Sequence, residues 1–249
     1  EKNLPNTANL VWSSGDTAIA SIDTTGFTVA KREGVTTITT TLTLTDGELS
    51  DETQLNVTAP VIQTLEIQPF NASVPAGKTL QYTALAFYSD GSMQNVTDLV
   101  TWSSNNDTTA SIDAAGLVNG AAVGGAVIKA VLDATEATTP ITVTAAIIES
   151  VEIVEVDPSA AAGGTLPLHA NGINSDLTTV NVTANGDTIW SSSNRAVATI
   201  SATGLVKAAA PGTTTITVSH LGMRDTVTFT VTAAELTNID VLPVDAVLP

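Results

Sequence analysis

Few residues in this chain are equipped for chemistry. His169 and His220 are the only histidines among 249 residues, and cysteine is absent. A serine nucleophile needs an imidazole base, and the base needs a carboxylate to orient it. Asp225 and any of several serines complete such a set on paper only. The chain has no G-x-S-x-G elbow, no H-E-x-x-H pair and no Walker-type loop. Both histidines therefore read as structural, and the chain as a protein that is not an enzyme. Without cysteine, thiol catalysis, disulfides and zinc–thiolate sites are excluded.

A second kind of chemistry is cation binding. Glu149, Glu152, Glu155 and Asp157 lie close together in sequence. Calcium wants six to eight oxygens from several carboxylates and carbonyls. Strand alternation puts Glu155 and Asp157 on one face and Glu152 on the other, and no D-x-D-x-D loop is present. Calcium at a junction between domains is thus a weak candidate, and no other cofactor is expected. Asn-x-Ser/Thr triplets at Asn56, Asn71, Asn95, Asn106 and Asn181 are formal glycosylation acceptors, frequent by chance in a threonine-rich chain.

Charge narrows the partners. The 25 acidic residues outnumber the 8 basic ones, for a formal net charge of -17. Such a chain repels nucleic-acid phosphates and anionic lipid headgroups. No apolar run approaches a membrane span, so no membrane insertion is expected. The acids are scattered, which fits a generic acidic exterior.

The elements behind these residues are set by a pattern that occurs three times, W-x7-A-x-I-x3-G-x7-G-x3-I. The copies are Trp12, Ala20, Ile22, Gly26, Gly34, Ile38; Trp102, Ala110, Ile112, Gly116, Gly124, Ile128; and Trp190, Ala198, Ile200, Gly204, Gly212, Ile216. These tryptophans are the only three, and the period is near 88 residues. That is too long for a solenoid unit and long enough for a small domain with its own core. Leu65 and Ile67, Leu80 to Ala86, Val100 and Trp102, Ala110 and Ile112, Ala126 to Ala130, and Ile141 and Val143 alternate as short strands, separated by turns such as Asp113–Gly116. About seven such strands per copy and no helical periodicity predict an all-β fold of tandem sandwiches. Each Trp reads as a plug between two sheets. Trp12, Trp102, Trp190, Ile22, Ile112, Ile200, Ile38, Ile128 and Ile216 are the expected core.

The motifs Trp102-Ser103-Ser104-Asn105, Ala110-Ser111-Ile112-Asp113, Gly116-Leu117-Val118 and Val123-Gly124 resemble those of the bacterial immunoglobulin-like domain group 2 family. Trp190–Asn194, Ala198–Ile200, Gly204–Val206 and Pro211–Thr213 repeat them; the first copy departs slightly at Trp12–Gly15 and Gly26–Val29. The resemblance implies Greek-key immunoglobulin-like sandwiches without catalysis, used in tandem in bacterial surface adhesins and in phage virion proteins. It also implies a secreted or cell-surface location.

The expected domains are residues 1–59, lacking its first strands; 60–145, complete; 146–233, complete; and 234–249, the first strand of a further domain. The junctions at Thr58-Ala59-Pro60, Thr144-Ala145-Ala146 and Thr232-Ala233-Ala234 are short. Short junctions predict a semi-rigid, elongated rod, on the order of 100 Å at ~3.3 Å per strand residue. Pro249 aligns with Pro75. The preferred reading is a window on a longer array. The other makes Leu236, Ile239 and Val241 a donor strand for the first domain of the next molecule, giving a head-to-tail filament; against it, that domain would still lack its second strand. The leading function is an adhesin stalk or fibre whose partners are further immunoglobulin-like domains or copies of itself. Alternatives are a virion decoration or tail module binding cell-surface glycan, and an adhesin module binding a host protein.

Overall fold

The structure is a computed structural model that describes residues 10–44 and 46–234. Threonine, valine and isoleucine suit a pleated surface with one face buried, and the described residues form 25 strands and no helix. By backbone contact the chain divides into two compact units. Of the described residues, one holds those up to Thr64 with Ala86–Gln94; the other holds Leu65–Leu85 with those from Asn95 onward.

In the first unit, the first repeat contributes β1 (Leu10–Ser14), β2 (Ala20–Ile22), β3 (Thr28–Ala30), β4 (Gly34–Leu44) and β5 (Gly47–Val57). They form a three-stranded sheet in the order β1-β4-β5 and a β2-β3 ribbon. Ile19, Ala20, Thr36, Ile38 and Leu42 are buried, while Val11, Phe27, Val35 and Leu49 stay exposed.

The second repeat runs through β6 (Ile62–Gln68), β7 (Ala72–Pro75), β8 (Thr79–Gln81), β9 (Thr83–Tyr88), β10 (Met93–Asn95), β11 (Thr101–Ser104), β12 (Ala110–Ile112), β13 (Leu117–Gly120), β14 (Gly124–Leu132) and β15 (Thr135–Thr144). The sheet β11-β14-β15-β7 faces β12-β13-β8, and β7 joins its sheet parallel to β15. The third repeat follows the same plan with β16 (Ile148–Ile153), β17 (Ser159–Ala161), β18 (Thr165–Pro167), β19 (Ala170–Asn174), β20 (Thr179–Asn181), β21 (Thr188–Ser192), β22 (Ala198–Ile200), β23 (Leu205–Ala208), β24 (Gly212–His220) and β25 (Met223–Thr232). Its sheets are β17-β25-β24-β21, β18-β23-β22 and β16-β19-β20. They enclose one core that includes Leu168, Trp190, Ile216, Phe229 and Val231.

Ten strands per complete repeat exceed the seven expected. The alternating run from Leu80 to Ala86 breaks at Tyr82, so β8 and β9 enter different sheets. The short edges β7 and β10 carry little alternation of their own. Register is conserved between repeats: Gly34 pairs with Val57, Gly124 with Val143 and Gly212 with Val231. The repeated glycine before β13 has a local cause. Asp113 Oδ1 accepts the Ala115 and Leu117 N–H groups at 2.9 Å, and Gly116 closes that turn at φ 79°, where a Cβ would be strained.

Five of the nine expected core residues are buried: Trp102, Trp190, Ile38, Ile128 and Ile216. Trp12, Ile22, Ile112 and Ile200 are half-buried instead. The last three share a cause, since β2, β12 and β22 are sheet-edge strands.

Candidate functional site

The histidines are placed by packing. His220 is buried at the end of β24, with Nδ1 2.9 Å from Thr188 Oγ1. Thr188 already donates its proton to the Val182 carbonyl at 2.6 Å, so the hydroxyl accepts here and Nδ1 carries the hydrogen. Asp225 points elsewhere: Oδ2 accepts the Ile153 N–H at 2.7 Å and Oδ1 the Thr226 N–H at 2.8 Å. His169 is held by Glu155, whose Oε1 lies 2.6 Å from Nδ1 and whose Oε2 accepts the His169 N–H at 2.7 Å. Among the described residues, neither imidazole is joined to both a nucleophile and an orienting carboxylate.

The acidic cluster is dispersed by its partners. Glu149 pairs with Lys78, Glu155 with His169. Among the described residues, no group of three or more His, Cys, Asp or Glu side chains is placed to hold a metal ion. The Asn-x-Thr triplets at Asn95 and Asn181 are structural. Asn95 Oδ1 accepts both N–H (3.0 Å) and O–H (2.6 Å) of Thr97, and Thr97 Oγ1 accepts the Ala84 N–H at 3.0 Å. Asn181 and Thr183 repeat this: Asn181 Oδ1 accepts the Thr183 N–H at 3.0 Å, and Thr183 Oγ1 the Ala170 N–H at 2.9 Å. The threonine carbonyls then accept the indole N–H: Trp102 donates to Thr97 at 3.0 Å and Trp190 to Thr183 at 2.9 Å. Asn-Val-Thr is thus the socket that satisfies a buried tryptophan. Its recurrence, with the threonine five and seven residues before Trp, was the signal that sequence reasoning missed.

A more consequential contact joins the second and third repeats. The turn after β19 carries Ser175, whose hydroxyl donates to the Ala76 carbonyl at 2.6 Å and accepts the Ile147 N–H at 3.1 Å. The Ser175 N–H returns to the Ile147 carbonyl at 2.8 Å. Gly77 makes the approach feasible: a Cβ there would overlap the Ser175 carbonyl, and its φ is 81°. Lys78 and Glu149 close the rim as an ion pair. The next residue, Asp176, has its carboxyl pKa lowered by the Thr178 hydroxyl and N–H that donate to it. Asp90, beside Ser89 in the equivalent turn of the first unit, is lowered in the same way by Ser92.

The family profile described as bacterial Ig-like domain (group 2) matches residues 61–143 and again 147–234. The chain belongs to this family. A curated relative, Ice-binding protein 1 of Shewanella frigidimarina, is 36% identical over 244 residues, covering 98% of this chain and 27% of that protein. Among solved structures, surface layer protein SbsC domains 1–6 aligns at TM-score 0.39 and 18% identity over 94% of this chain and 36% of that one. Drosophila N-cadherin EC1–4 aligns at TM-score 0.38 and 12% identity over 92% and 67%. Structural similarity this low carries no functional argument. The family match shows tandem immunoglobulin-like domains, which accords with a buried tryptophan in each matched region. Leu236, Ile239 and Val241, read as a donor strand, lie outside the described residues.

Proposed function

We propose that this chain is a non-enzymatic, extracellular structural module, a stalk segment that holds a functional part of a larger protein away from its anchor. The joint at Ser175, Ala76 and Gly77 carries the reading. A spacer needs stiff junctions, and a hydroxyl buried between two repeats, bonded to both, opposes bending and rotation. The scattered histidines and carboxylates support a role without catalysis. The relative named for ice binding is far longer than this chain, which spans 27% of it; the array is the structural share of such a protein. The test is a distance distribution between spin labels on Ser103 and Thr228, which sit on the second and third repeats. A narrow distribution supports the stalk. A broad one, typical of a flexible linker, refutes it.

A second reading rests on one observation. On the outer face of β24 and β25, Thr213 pairs with Thr230, Thr215 with Thr228 and Thr217 with Thr226. Neighbouring strands lie ~4.8 Å apart and alternate residues ~6.7 Å apart, so these hydroxyls and methyls form a regular grid. In this reading the grid itself contacts ice, as the relative's name suggests. Thermal hysteresis of the chain, lost on Thr215→Lys, supports it; no hysteresis and no uptake into growing ice rejects it.

A further inference from the structure

Three Asn-Gly pairs occur in the chain, at Asn119, Asn171 and Asn185. Asparagine before glycine is prone to cyclise, because no Cβ on the glycine blocks the approach of its nitrogen to the asparagine carboxamide. The reaction needs that nitrogen free and the backbone able to turn. Two of the pairs are denied both. The Gly120 N–H donates to the Lys78 carbonyl at 2.9 Å, and a Cβ on Gly120 would lie 2.9 Å from Val74 Cγ1. Gly172 is buried in the middle strand of the sheet β16-β19-β20, paired with Val151 on one side and Val180 on the other.

The third pair lies in an insertion that the second repeat lacks. Val96 and Val182 both precede the threonine of a tryptophan socket, yet Trp102 follows Val96 by six residues and Trp190 follows Val182 by eight. Both loops begin alike: the Leu99 N–H donates to the Val96 carbonyl at 2.9 Å, and the Asn185 N–H to the Val182 carbonyl at 3.1 Å. Val100 and Thr188 then enter their cores at the same place, so Gly186 and Asp187 are the extra residues. Asn185, Gly186 and Asp187 are all exposed. Nothing lies within 4 Å of where a Gly186 Cβ would stand, and among the described residues the Gly186 N–H has no hydrogen-bond partner. The Asn185 side chain is folded back over this turn, with Oδ1 accepting the Asp187 N–H at 3.0 Å. That donor meets the oxygen on which negative charge gathers when the carboxamide carbon is attacked.

We propose that Asn185 is a site of spontaneous deamidation, selected by the fold from the three Asn-Gly pairs, with water as the co-reactant. The Gly186 N–H gives its proton to hydroxide, and the nitrogen bonds to Asn185 Cγ. The Cγ–Nδ2 bond breaks, and Nδ2 takes a proton from water and leaves as ammonia, which closes a cyclic imide. Water opens the imide at either carbonyl and leaves aspartate or isoaspartate at position 185. One water is consumed, one ammonia is released, and nothing is oxidised or reduced. Either product adds a negative charge to a chain already at -17. Isoaspartate also reroutes the main chain through the side-chain carbons and lengthens it. This happens inside a loop closed by the bond from the Thr188 N–H to the Asn185 carbonyl at 2.9 Å. Thr183 and Thr188, which flank it, hold the Trp190 indole N–H and the Val182 carbonyl. The longer chain therefore loosens the tryptophan socket of the third repeat and leaves that of the second intact.

The test is peptide mapping by mass spectrometry of the full chain held at mildly alkaline pH, both native and in urea. In the native chain, Asn185 is expected to deamidate at least about tenfold faster than Asn119 or Asn171. In urea the three rates are expected to converge. Gly186→Ala is expected to slow the native reaction at Asn185 about tenfold or more, with thermal melting unchanged because open space surrounds Gly186. Comparable native rates at the three sites overturn the proposal, as does an undiminished rate in Gly186→Ala. A preference for Asn185 that persists in urea would show neighbouring residues to select the site in place of the fold, and overturns it as well. The isoaspartate-bearing fraction, separated by anion exchange, is expected to exchange its Trp190 indole hydrogen faster than the unmodified chain, with Trp102 unaffected. An unchanged Trp190 rate overturns the effect on the socket.

Discussion

The Ser175 hydroxyl and the Ala76 carbonyl meet at 2.6 Å across 99 residues of sequence, buried between two repeats. Removing the hydroxyl strands that carbonyl and the Ile147 N–H together. Ser175→Ala is expected to lower stability by about 1–3 kcal/mol. It should also broaden the distance distribution between the second and third repeats. Gly77→Val is expected to do more, because the valine side chain and the Ser175 backbone need the same space. Urea denaturation and the spin-label measurement check both. Unchanged stability and an unchanged distribution in Ser175→Ala would show that the joint does not stiffen the junction.

The tryptophans are not equivalent. Trp102 and Trp190 are buried and bonded through Nε1, whereas Trp12 is half-buried. Replacing Trp102 or Trp190 with alanine is expected to cost about 3–5 kcal/mol. Trp12→Ala should cost clearly less. Differential scanning calorimetry distinguishes the cases, and equal losses at all three sites would contradict the burial difference.

The fold was legible because its strongest signals are local. A Trp at fixed distance from Ala-x-Ile and from two glycines encodes a strand, a turn and a strand, and each can be read within about 26 residues. Edge strands escaped because Ala72–Pro75 and Met93–Asn95 are short and carry mixed side chains; their pairing depends on distant partners such as Ile141. Half-burial of Ile112 and Ile200 escaped for the same reason, since alternation shows which face a residue shares and not how well an edge is covered. The Ser175 joint was invisible to motif reading. Ser89-Asp90 and Ser175-Asp176 look like ordinary strand-ending turns, and what makes Ser175 special is that Ala76 comes to meet it.

Asp176 makes a pH prediction. The Thr178 hydroxyl and N–H hold its carboxyl below the usual value near 3.9. The folded state therefore favours the ionised form. The resulting stability is present above the unfolded pKa and disappears as pH falls through the lower folded value. Carbon-detected NMR titration is expected to show the Asp176 midpoint below that of an ordinary exposed aspartate. Thr178→Val should raise it, because the first of the two donors is gone. An unmoved midpoint in the variant would refute the assigned cause.

Thr188 and His220 form a buried polar pair where the second repeat has Val100 and Leu132. The threonine hydroxyl donates to the Val182 carbonyl and accepts from His220, so each change has a different consequence. Thr188→Val leaves the buried Nδ1–H without its acceptor, with an expected loss of about 1–3 kcal/mol. His220→Leu removes the group that needs satisfying, and Thr188 keeps its bond to Val182; the expected loss is smaller, below about 1.5 kcal/mol. The double variant installs the apolar pair of the second repeat and should recover most of the loss of Thr188→Val. The two changes would then be coupled by about 1 kcal/mol or more in a double-mutant cycle. Strict additivity in urea denaturation would show that the hydroxyl and the imidazole do not depend on each other.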